Sequence, residues 1–388
     1  RLQYNLNNHF ESFTILTNSK SKSFYSYDED WGNNIQWNSL PGWNQNYDYN
    51  IEFPKNKKEQ SIDQRLLFAK KSIIGLFLKN STEDFQEIKY KNQALKEKTN
   101  GNYETKNVAL YLESENSLSN KHFLNYGVRT HRRSAKYQDS NQNTFSPKEH
   151  MFGGSISINY RPSELELSYL KLSQGYKAGG FNTQSEVPSS RKEYHKEKLY
   201  SLELGHKKYW KDSNIESKST LFMMYRQDIQ VKTSFQDDPM DPSSYTFYND
   251  NAADGYGYGA EFEIDWISSF GLEVITSLGL LKTKYGSYSY GDSNLKGREM
   301  PHSPEYQLST ILKYKLTPIL YFSSNLYMSD NFYFSNSHSE KSHTHQTIDI
   351  KLGAKKSNFD FSFWSKNIFN EDYSQRGFFF SNMPPEWK

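Results

Sequence analysis

The chain has 388 residues and contains 47 Lys and Arg against 45 Asp and Glu, a formal net charge of +2. This balance excludes the strongly basic surface typical of nucleic-acid-binding proteins, so no nucleic-acid partner is predicted. The sequence has no cysteine, which excludes disulfides, thiolate metal sites and cysteine nucleophiles. Mean hydropathy is −0.91, and no apolar run approaches the roughly 18 to 20 residues that a membrane-spanning helix needs.

The chain opens with RLQYNLNNHFESFTI. This segment carries no signal peptide and is predicted to begin partway through a strand, which indicates a fragment of a longer protein. Aromatic residues make up 16% of the sequence, with 30 Tyr and 26 Phe, although long apolar runs are missing. Many aromatics without apolar runs indicate strands in which apolar and polar residues alternate.

Period-two alternation is clearest in the second half of the chain. In residues 259–266, GAEFEIDW, every second side chain is apolar and those between are acidic. The apolar side chains are predicted to face lipid and the acidic side chains to line a hydrated lumen. The same alternation recurs in residues 308–316, 348–355 and 359–363.

Short turns alternate with long polar connections along the chain. The short turns are predicted at residues 69–72, 115–120, 161–164, 210–213, 267–270, 315–318 and 355–358. The long connections are predicted at residues 26–57, 84–104, 132–149, 176–198, 229–255, 286–304 and 330–345. This alternation is typical of outer-membrane barrels, with short periplasmic turns and long extracellular loops.

The predicted fold class is therefore all-β, a transmembrane antiparallel β-barrel. The pattern predicts about 15 strands of about 9 to 11 residues each, the length that crosses the hydrocarbon core. Because bacterial single-chain barrels have an even number of strands, at least one strand is expected to be missing. A soluble propeller or sandwich is the alternative, but a propeller would repeat every ~40–45 residues with one motif per blade. The turn spacing drifts, and no motif recurs.

One segment carries a specific resemblance. Residues 169–182, YLKLSQGYKAGGFN, resemble the Y-x-x-x-S-x-G-Y-K-x-G-G-F-N signature of TonB-dependent outer-membrane receptor barrels. The matching positions are Tyr169, Ser173, Gly175, Tyr176, Lys177, Gly179, Gly180, Phe181 and Asn182. Residues 199–210, 249–265, 294–307 and 361–387 are similar to further segments of that family, in the family's order.

The resemblance implies that residues 1–388 are a partial receptor barrel, with about 15 of about 22 strands. The signal peptide, the N-terminal plug and the last strand of the family are not seen in the chain. The implied function is import of a scarce ligand, most often a ferric siderophore, across the bacterial outer membrane, powered by the TonB–ExbB–ExbD complex. Haem, cobalamin or glycan transport, a passive porin-like channel and a soluble β-rich domain remain alternatives. No enzyme activity and no cofactor are expected.

A polar loop is the first candidate ligand site. Five aromatic side chains lie among amides in the predicted loop at residues 26–57: Trp31, Trp37, Trp43, Tyr47 and Tyr49. Aromatic faces beside amide donors suit stacking on catecholates, sugars or flat macrocycles. The alternative is that these aromatics pack against other loops above the barrel rim.

Cations and histidines supply two further candidates. Lys177 is expected near the outer interface, where it reaches lipid headgroups or an ion pair, or contacts the ligand. His338, His343 and His345 cluster in the last long connection and are candidates for a metal or haem iron, with a solvated loop as the alternative. The sequence contains no nucleophile-and-base arrangement and no phosphate-binding glycine loop, so no catalytic residue is predicted.

Overall fold

The computed structural model describes residues 2–7, 10–28, 35, 39, 48–69, 71–184, 186–236, 245–290, 293–336 and 338–377. In chain order its strands are β1 (Leu2–Asn7), β2 (Phe10–Asp28), β3 (Tyr49–Phe68), β4 (Ser72–Lys91), β5 (Ala94–Ser117), β6 (His122–Asp139), β7 (Thr144–Phe145), β8 (Lys148–Ser163), β9 (Glu166–Lys177), β10 (Gly180–Phe181), β11 (Glu193–Tyr194), β12 (Glu197–Trp210), β13 (Ile215–Gln236), β14 (Tyr245–Ile267), β15 (Leu272–Tyr290), β16 (Ser293–Asn294), β17 (Tyr306–Lys315), β18 (Leu320–Ser329), β19 (His345–Lys356) and β20 (Phe359–Ser365). A 3₁₀ turn lies at Ser189–Arg191. Within these described ranges, no helix is long and apolar enough to span a membrane.

One antiparallel sheet of 18 strands contains every strand except β10 and β11. Two of its members, β7 and β16, are only two residues long. The remaining sixteen form an up-and-down wall in which each strand pairs with the next long strand of the chain, including β9 with β12 and β15 with β17. The predicted transmembrane antiparallel barrel fold is confirmed.

The strand count differs from the predicted number by one. The opening segment forms two strands rather than part of one, because β1 turns back on β2 and places Leu2 opposite Thr14. This segment contains neither Gly nor Pro, and its only local turn signal is a pair of asparagines. Such a weak signal did not separate the two strands in the sequence.

The predicted short turns are confirmed. Every one of them lies within two residues of the gap between a pair of consecutive wall strands, as between β12, which ends at Trp210, and β13, which begins at Ile215. These turns all lie at one end of the sheet. They fix the direction of the strands and leave the other end for the longer connections.

Three of the predicted long connections, residues 84–104, 132–149 and 229–255, are mostly strand, whereas residues 176–198, 286–304 and 330–345 are mostly loop, as predicted. Much of the connection at residues 26–57 lies outside the described residues. Residues 84–104 were expected to form a loop, yet β4 continues to Lys91 and β5 begins at Ala94. β5 has 24 residues, whereas about 9 to 11 cross the hydrocarbon core. Beyond the membrane the backbone ladder continues between polar side chains, because the hydrogen bonds of a hairpin do not depend on alternating hydrophobicity. The polar composition of these extensions therefore resembled that of loops.

Aliphatic side chains cover the outer face of the wall. Ile158, Leu170, Leu204 and Leu221 occupy facing positions on β8, β9, β12 and β13, with exposed fractions between 47% and 53%. A contiguous apolar band of this kind is unfavourable in water and favourable against lipid acyl chains. This band is the membrane-spanning surface.

Charged side chains occupy the opposite, inner face. The carboxylate of Glu263 accepts a hydrogen bond of 2.7 Å from Lys218 on the neighbouring strand, which confirms its predicted place in the lumen. Comparable cross-strand ion pairs on this face are Lys55–Glu83, Lys79–Glu59, Lys171–Glu203 and Lys313–Glu273. The inner wall is thus polar and largely neutralised by its own charges.

Aromatic rings lie over glycines on this inner face. Five glycines each face an aromatic residue directly across the ladder, and an added Cβ would lie 2.0 to 2.7 Å from that ring. The pairs are Gly75–Tyr111, Gly101–Phe85, Gly205–Tyr169, Gly259–Phe222 and Gly353–Tyr321. Glycine is required in these strands because the ring occupies the place of its side chain.

We expect Leu204→Arg to destabilise the protein by about 2 to 4 kcal/mol, because it places a charge in the hydrocarbon. Ser201→Arg is the matched control, since Ser201 lies on the inner face of the same strand and its hydroxyl donates to Glu203 at 3.3 Å. Urea titration of the protein folded in phospholipid vesicles measures both free energies of unfolding. A cost for Ser201→Arg equal to that for Leu204→Arg would contradict the assignment of the two faces, and a larger cost would mean that they are reversed.

Candidate ligand-binding surface

The signature segment leaves the wall at its extracellular end. β9 ends at Lys177, and the short strand β10 then pairs with β11, with Gly180 opposite Tyr194. An added Cβ on Gly179 or Gly180 would lie 2.3 Å from the carbonyl or hydroxyl oxygen of Tyr194. Neither glycine has a positive φ, so torsional freedom is not the reason for glycine at these positions. They are required by close contact instead.

A half-buried ion pair holds the start of this exit. Arg133 on β6 donates to the Glu149 carboxylate on β8 at 2.9 Å and to the Gly179 carbonyl at 3.3 Å. The other oxygen of Glu149 accepts from the Gly179 amide at 2.8 Å. The two side chains are only 14% and 13% exposed. One charge pair thereby satisfies both backbone groups of Gly179, where the chain has left the sheet.

Phe181 anchors the segment in an aromatic cluster. Its ring is stacked on Phe145 at 4.8 Å and 8°, and lies 4.7 Å from Tyr137 and 5.6 Å from Tyr103. The Tyr137 hydroxyl donates to Asp139 at 2.9 Å. Burial, together with this hydrogen bond to a carboxylate, raises the pKa of Tyr137. The phenol therefore stays protonated and keeps the contact.

Asn182 ties three extracellular segments together. Its side-chain amide donates to the carbonyls of Arg191 and Asn249 at 2.7 and 2.8 Å, and its oxygen accepts from the Asn249 amide at 2.9 Å. Only 4% of the residue is exposed. Asn182 thus connects the end of the signature to the 3₁₀ turn and to β14.

An extracellular pocket adjoins this network. It has a volume of about 600 Å³ and is lined by Arg191, Phe235, Tyr248, Asp250 and Tyr288, among others. The Arg191 guanidinium lies over the Tyr248 ring at 5.6 Å and hydrogen-bonds its hydroxyl, and Nε lies 3.6 Å from the Asp250 carboxylate. With 51% of its side chain exposed, this cation can also contact an anionic ligand. Its surrounding sequence, SSRKEY, contains no motif that singles it out.

A second cavity, of about 920 Å³, lies on the inner wall. Asp63 accepts hydrogen bonds of 2.9 Å from Arg65 and 2.7 Å from Tyr111. The Arg129 guanidinium lies 5.4 and 5.5 Å from the rings of Phe77 and Tyr111. This cavity presents charges and aromatic rings to the lumen, so it is suited to hydrated or polar contacts rather than to lipid.

The predicted aromatic site is only partly within the described residues. Trp31, Trp37, Trp43 and Tyr47 lie outside them. Tyr49 is 9% exposed at the start of β3, and the ammonium groups of Lys91 and Lys96 lie 5.1 and 4.8 Å from its ring centroid. The ring of Tyr49 therefore already contacts two cations.

Lys177 is exposed at the last position of β9. It lies directly across the ladder from Glu197, but that carboxylate accepts from Arg226 at 2.8 Å and from the Gln230 amide at 3.0 Å. Among the described residues no carboxylate oxygen lies within 4.0 Å of the Lys177 ammonium, so Glu197 is not its ion-pair partner. Lipid-headgroup and ligand contacts of Lys177 stay predictions.

The structure does not bring the three predicted histidines together. His338 lies in a loop, where its Nδ1 accepts from the Glu340 amide at 3.2 Å and burial lowers its pKa. His345 begins β19 and is stacked on Tyr373 at 4.3 Å and 2°, while His343 is exposed between them. In the described part of the chain, no group of three or more His, Asp or Glu side chains is placed to hold a metal ion.

Comparison with known proteins identifies related barrels. A family model described as TonB dependent receptor-like, beta-barrel, matches residues 1–369. The ferric yersiniabactin uptake receptor FyuA from Yersinia pestis superposes with a TM-score of 0.75 at 17% identity, over 98% of this chain and 57% of its own. The siderophore receptor PiuA from Acinetobacter baumannii gives 0.74 at 14% identity, over 96% and 59%. The copper transporter OprC gives 0.70 at 10% identity, over 95% and 58%.

These structural similarities show a shared fold. At such low sequence identities they do not identify the ligand of this chain. The chain spans less than three fifths of the length of each of these three proteins. The remaining residues of those three proteins are not aligned with this chain.

We expect Asn182→Asp to loosen the extracellular segments more than Asn182→Ala does. A carboxylate keeps the bond from the Asn249 amide but faces two carbonyl oxygens, each of which costs about 1–3 kcal/mol when left unpaired. Limited proteolysis within residues 183–195 measures the effect, and we expect cleavage at least tenfold faster. Gln138→Ala, which removes an exposed amide from the same end of the barrel, is the control. Equal cleavage of Asn182→Asp and this control would exclude the anchoring role.

Proposed function

Because the chain belongs to the TonB-dependent receptor β-barrel family, we propose that it forms the wall of a receptor that imports a ferric siderophore. The protein is located in the bacterial outer membrane, as are the proteins of this family. The observation that carries the proposal is the family match over residues 1–369. It is supported by the fold shared with FyuA and PiuA, which are named as siderophore receptors. The family transports ligands rather than transforming them.

The two faces of the wall are consistent with transport. The outer face is apolar, and the inner face carries cross-strand ion pairs such as Lys218–Glu263. In our proposal the ligand binds at the extracellular end of the complete receptor, and the TonB–ExbB–ExbD complex supplies the energy for import from the inner membrane. Energy coupling distinguishes this proposal from a passive porin-like channel.

The extracellular pocket supplies a cation for an anionic ferric chelate. Arg191 has half of its side chain exposed and is held between Tyr248 and Asp250. A planar guanidinium donates to carboxylate or catecholate oxygens, and a neighbouring aromatic ring favours flat ligands. We assign ligand recognition to this pocket together with the aromatic loop that contains Trp31, Trp37, Trp43, Tyr47 and Tyr49.

Radiolabelled iron uptake by cells that produce the full-length receptor tests the function. We expect uptake of an anionic ferric chelate that stops when a protonophore dissipates the proton gradient. Arg191→Ala should weaken chelate binding about tenfold or more, because a charge-assisted hydrogen bond contributes ~1.5–3 kcal/mol. Lys211→Ala, at a turn of the opposite end, is the control.

Other outcomes assign other functions. Uptake that persists without the proton gradient would indicate a passive channel. Competition by haem, cobalamin, a glycan or copper, with no response to any siderophore, would replace the proposed ligand. If Arg191→Ala binds the chelate with unchanged affinity and uptake is intact, the pocket is excluded as a ligand site, whereas the proposed import function stands.

We expect Trp37→Ala combined with Trp43→Ala to weaken chelate binding while the β-sheet content measured by circular dichroism stays constant. The physical reason is the loss of two stacking faces, each worth about 0.5–1.5 kcal/mol beyond area burial. Trp210→Ala removes a tryptophan from the other end of the wall and is the control. Binding that is unchanged in the double variant would exclude the loop as a ligand contact.

A further inference from the structure

Three cations stand close together on the outer, lipid-side face of the wall, above its apolar band. Arg132 lies opposite His150, and Lys148 is two residues before His150 on β8, so Arg132 and Lys148 are diagonal neighbours. The Lys196 ammonium donates to the carbonyl of His150. Arg132, Lys148 and Lys196 are called the basic cluster below.

The basic cluster is not neutralised by the protein. Among the described residues, no carboxylate lies within 4.0 Å of the charged groups of Arg132, Lys148 or Lys196. On the inner face, by contrast, the neighbouring cations Arg133 and Arg226 are paired with Glu149 and Glu197. The three cations of the basic cluster therefore leave uncompensated charge on the side of the wall that meets the membrane.

An apolar groove lies directly below the basic cluster. It has a volume of about 750 Å³ and is lined by Phe152, Gly154, Ile156, Leu172, Tyr200 and Leu202, among others. Phe152 and Tyr200 are exposed aromatics at the extracellular margin of the apolar band. Gly154 lies between Phe152 and Ile156 on this face and has no side chain, so the surface is recessed there and forms part of the groove.

The end of one ladder joins the groove to the basic cluster. Pairing of β8 with β9 stops at Gly154 and Gln174, although pairing of β6 with β8 continues to Lys148. The freed carbonyls of Phe152 and His150 are instead bonded by the side chains of Gln174, at 3.1 Å, and of Lys196. This bond holds the Lys196 ammonium at the upper end of the groove and leaves it further donor hydrogens.

We propose that the groove and the basic cluster bind one phosphate-bearing lipid of the outer leaflet. An acyl chain occupies the groove between Phe152 and Tyr200, and the headgroup phosphate is bound by Arg132, Lys148 and Lys196. Charge complementarity favours this occupant: an anion directly above a hydrocarbon chain matches cations directly above an apolar groove. The site is on the outside of the wall and is separate from the proposed import of a ligand through it.

Native mass spectrometry of the delipidated full-length receptor titrated with lipid A tests the proposal. We expect one tightly bound lipid and at least tenfold weaker binding in the variant R132S/K148S/K196S. The control variant K20S/K22S/K58S removes the same charge from exposed outer-face positions on β2 and β3 and should bind as the unmodified receptor does. Equal loss in both variants would overturn the site and indicate general electrostatic attraction.

The groove is tested by filling it. Leu172→Trp should weaken lipid A binding, whereas Leu204→Trp, on the same face below the groove, should not. Lipid A without phosphates should also bind at least tenfold more weakly, and inorganic phosphate at the same concentration should not compete. Full competition by inorganic phosphate, or unchanged binding of Leu172→Trp, would overturn a lipid site. Heat-modifiable migration in gels checks folding, and the single variant Lys196→Ser replaces the triple variant if that variant does not fold.

Discussion

The need to pair every backbone amide and carbonyl inside a hydrocarbon layer governs this structure. Within lipid no water replaces a missing partner, so the spanning strands must hydrogen-bond to one another. From β2 to β19 the chain meets this requirement with a single ladder in which consecutive long strands are neighbours, and among the described strands the two edges, β1 and β20, pair on one side only. The side chains then need only match their surroundings, with apolar side chains on the outer face and polar side chains on the inner face. Where the ladder ends early, as between β8 and β9, side chains such as Gln174 replace the missing strand bonds.

Those two faces made the fold predictable from sequence. Alternation in residues 259–266 and the short turns between strands follow directly from the membrane and the pleat. Strand length was not predictable in the same way. Outside the membrane both faces of β4 and β5 meet water, so their sequences lose the alternation while their backbones keep the ladder. The first hairpin was not predicted because the sequence near Asn7 has no strong turn signal. The turn is evident only from the pairing of β1 with β2.

The candidate site was predictable only where a motif marked it. The segment around Gly179 was recognised by resemblance, but its physical reason, the close approach of Tyr194, required the structure. Arg191 could not be found from its neighbours in sequence, because Tyr248 and Asp250 come from β14, more than fifty residues away. The three histidines show the converse case. His338 and His345 are close in sequence but make different contacts, because His338 lies in a loop and His345 begins a strand.

The polar extensions of the strands have an electrostatic consequence for the ligand. On β13 ten residues separate Tyr225, at the margin of the apolar band, from Phe235, in the extracellular pocket. At ~3.3 Å per residue and a tilt near 40°, this segment raises the pocket about 20 Å above the lipid headgroups. The Debye length at physiological ionic strength is only ~8 Å. In the proposed import function, an anionic chelate would therefore meet Arg191 beyond the repulsive field of the membrane surface, and the height of the wall would act as an electrostatic spacer.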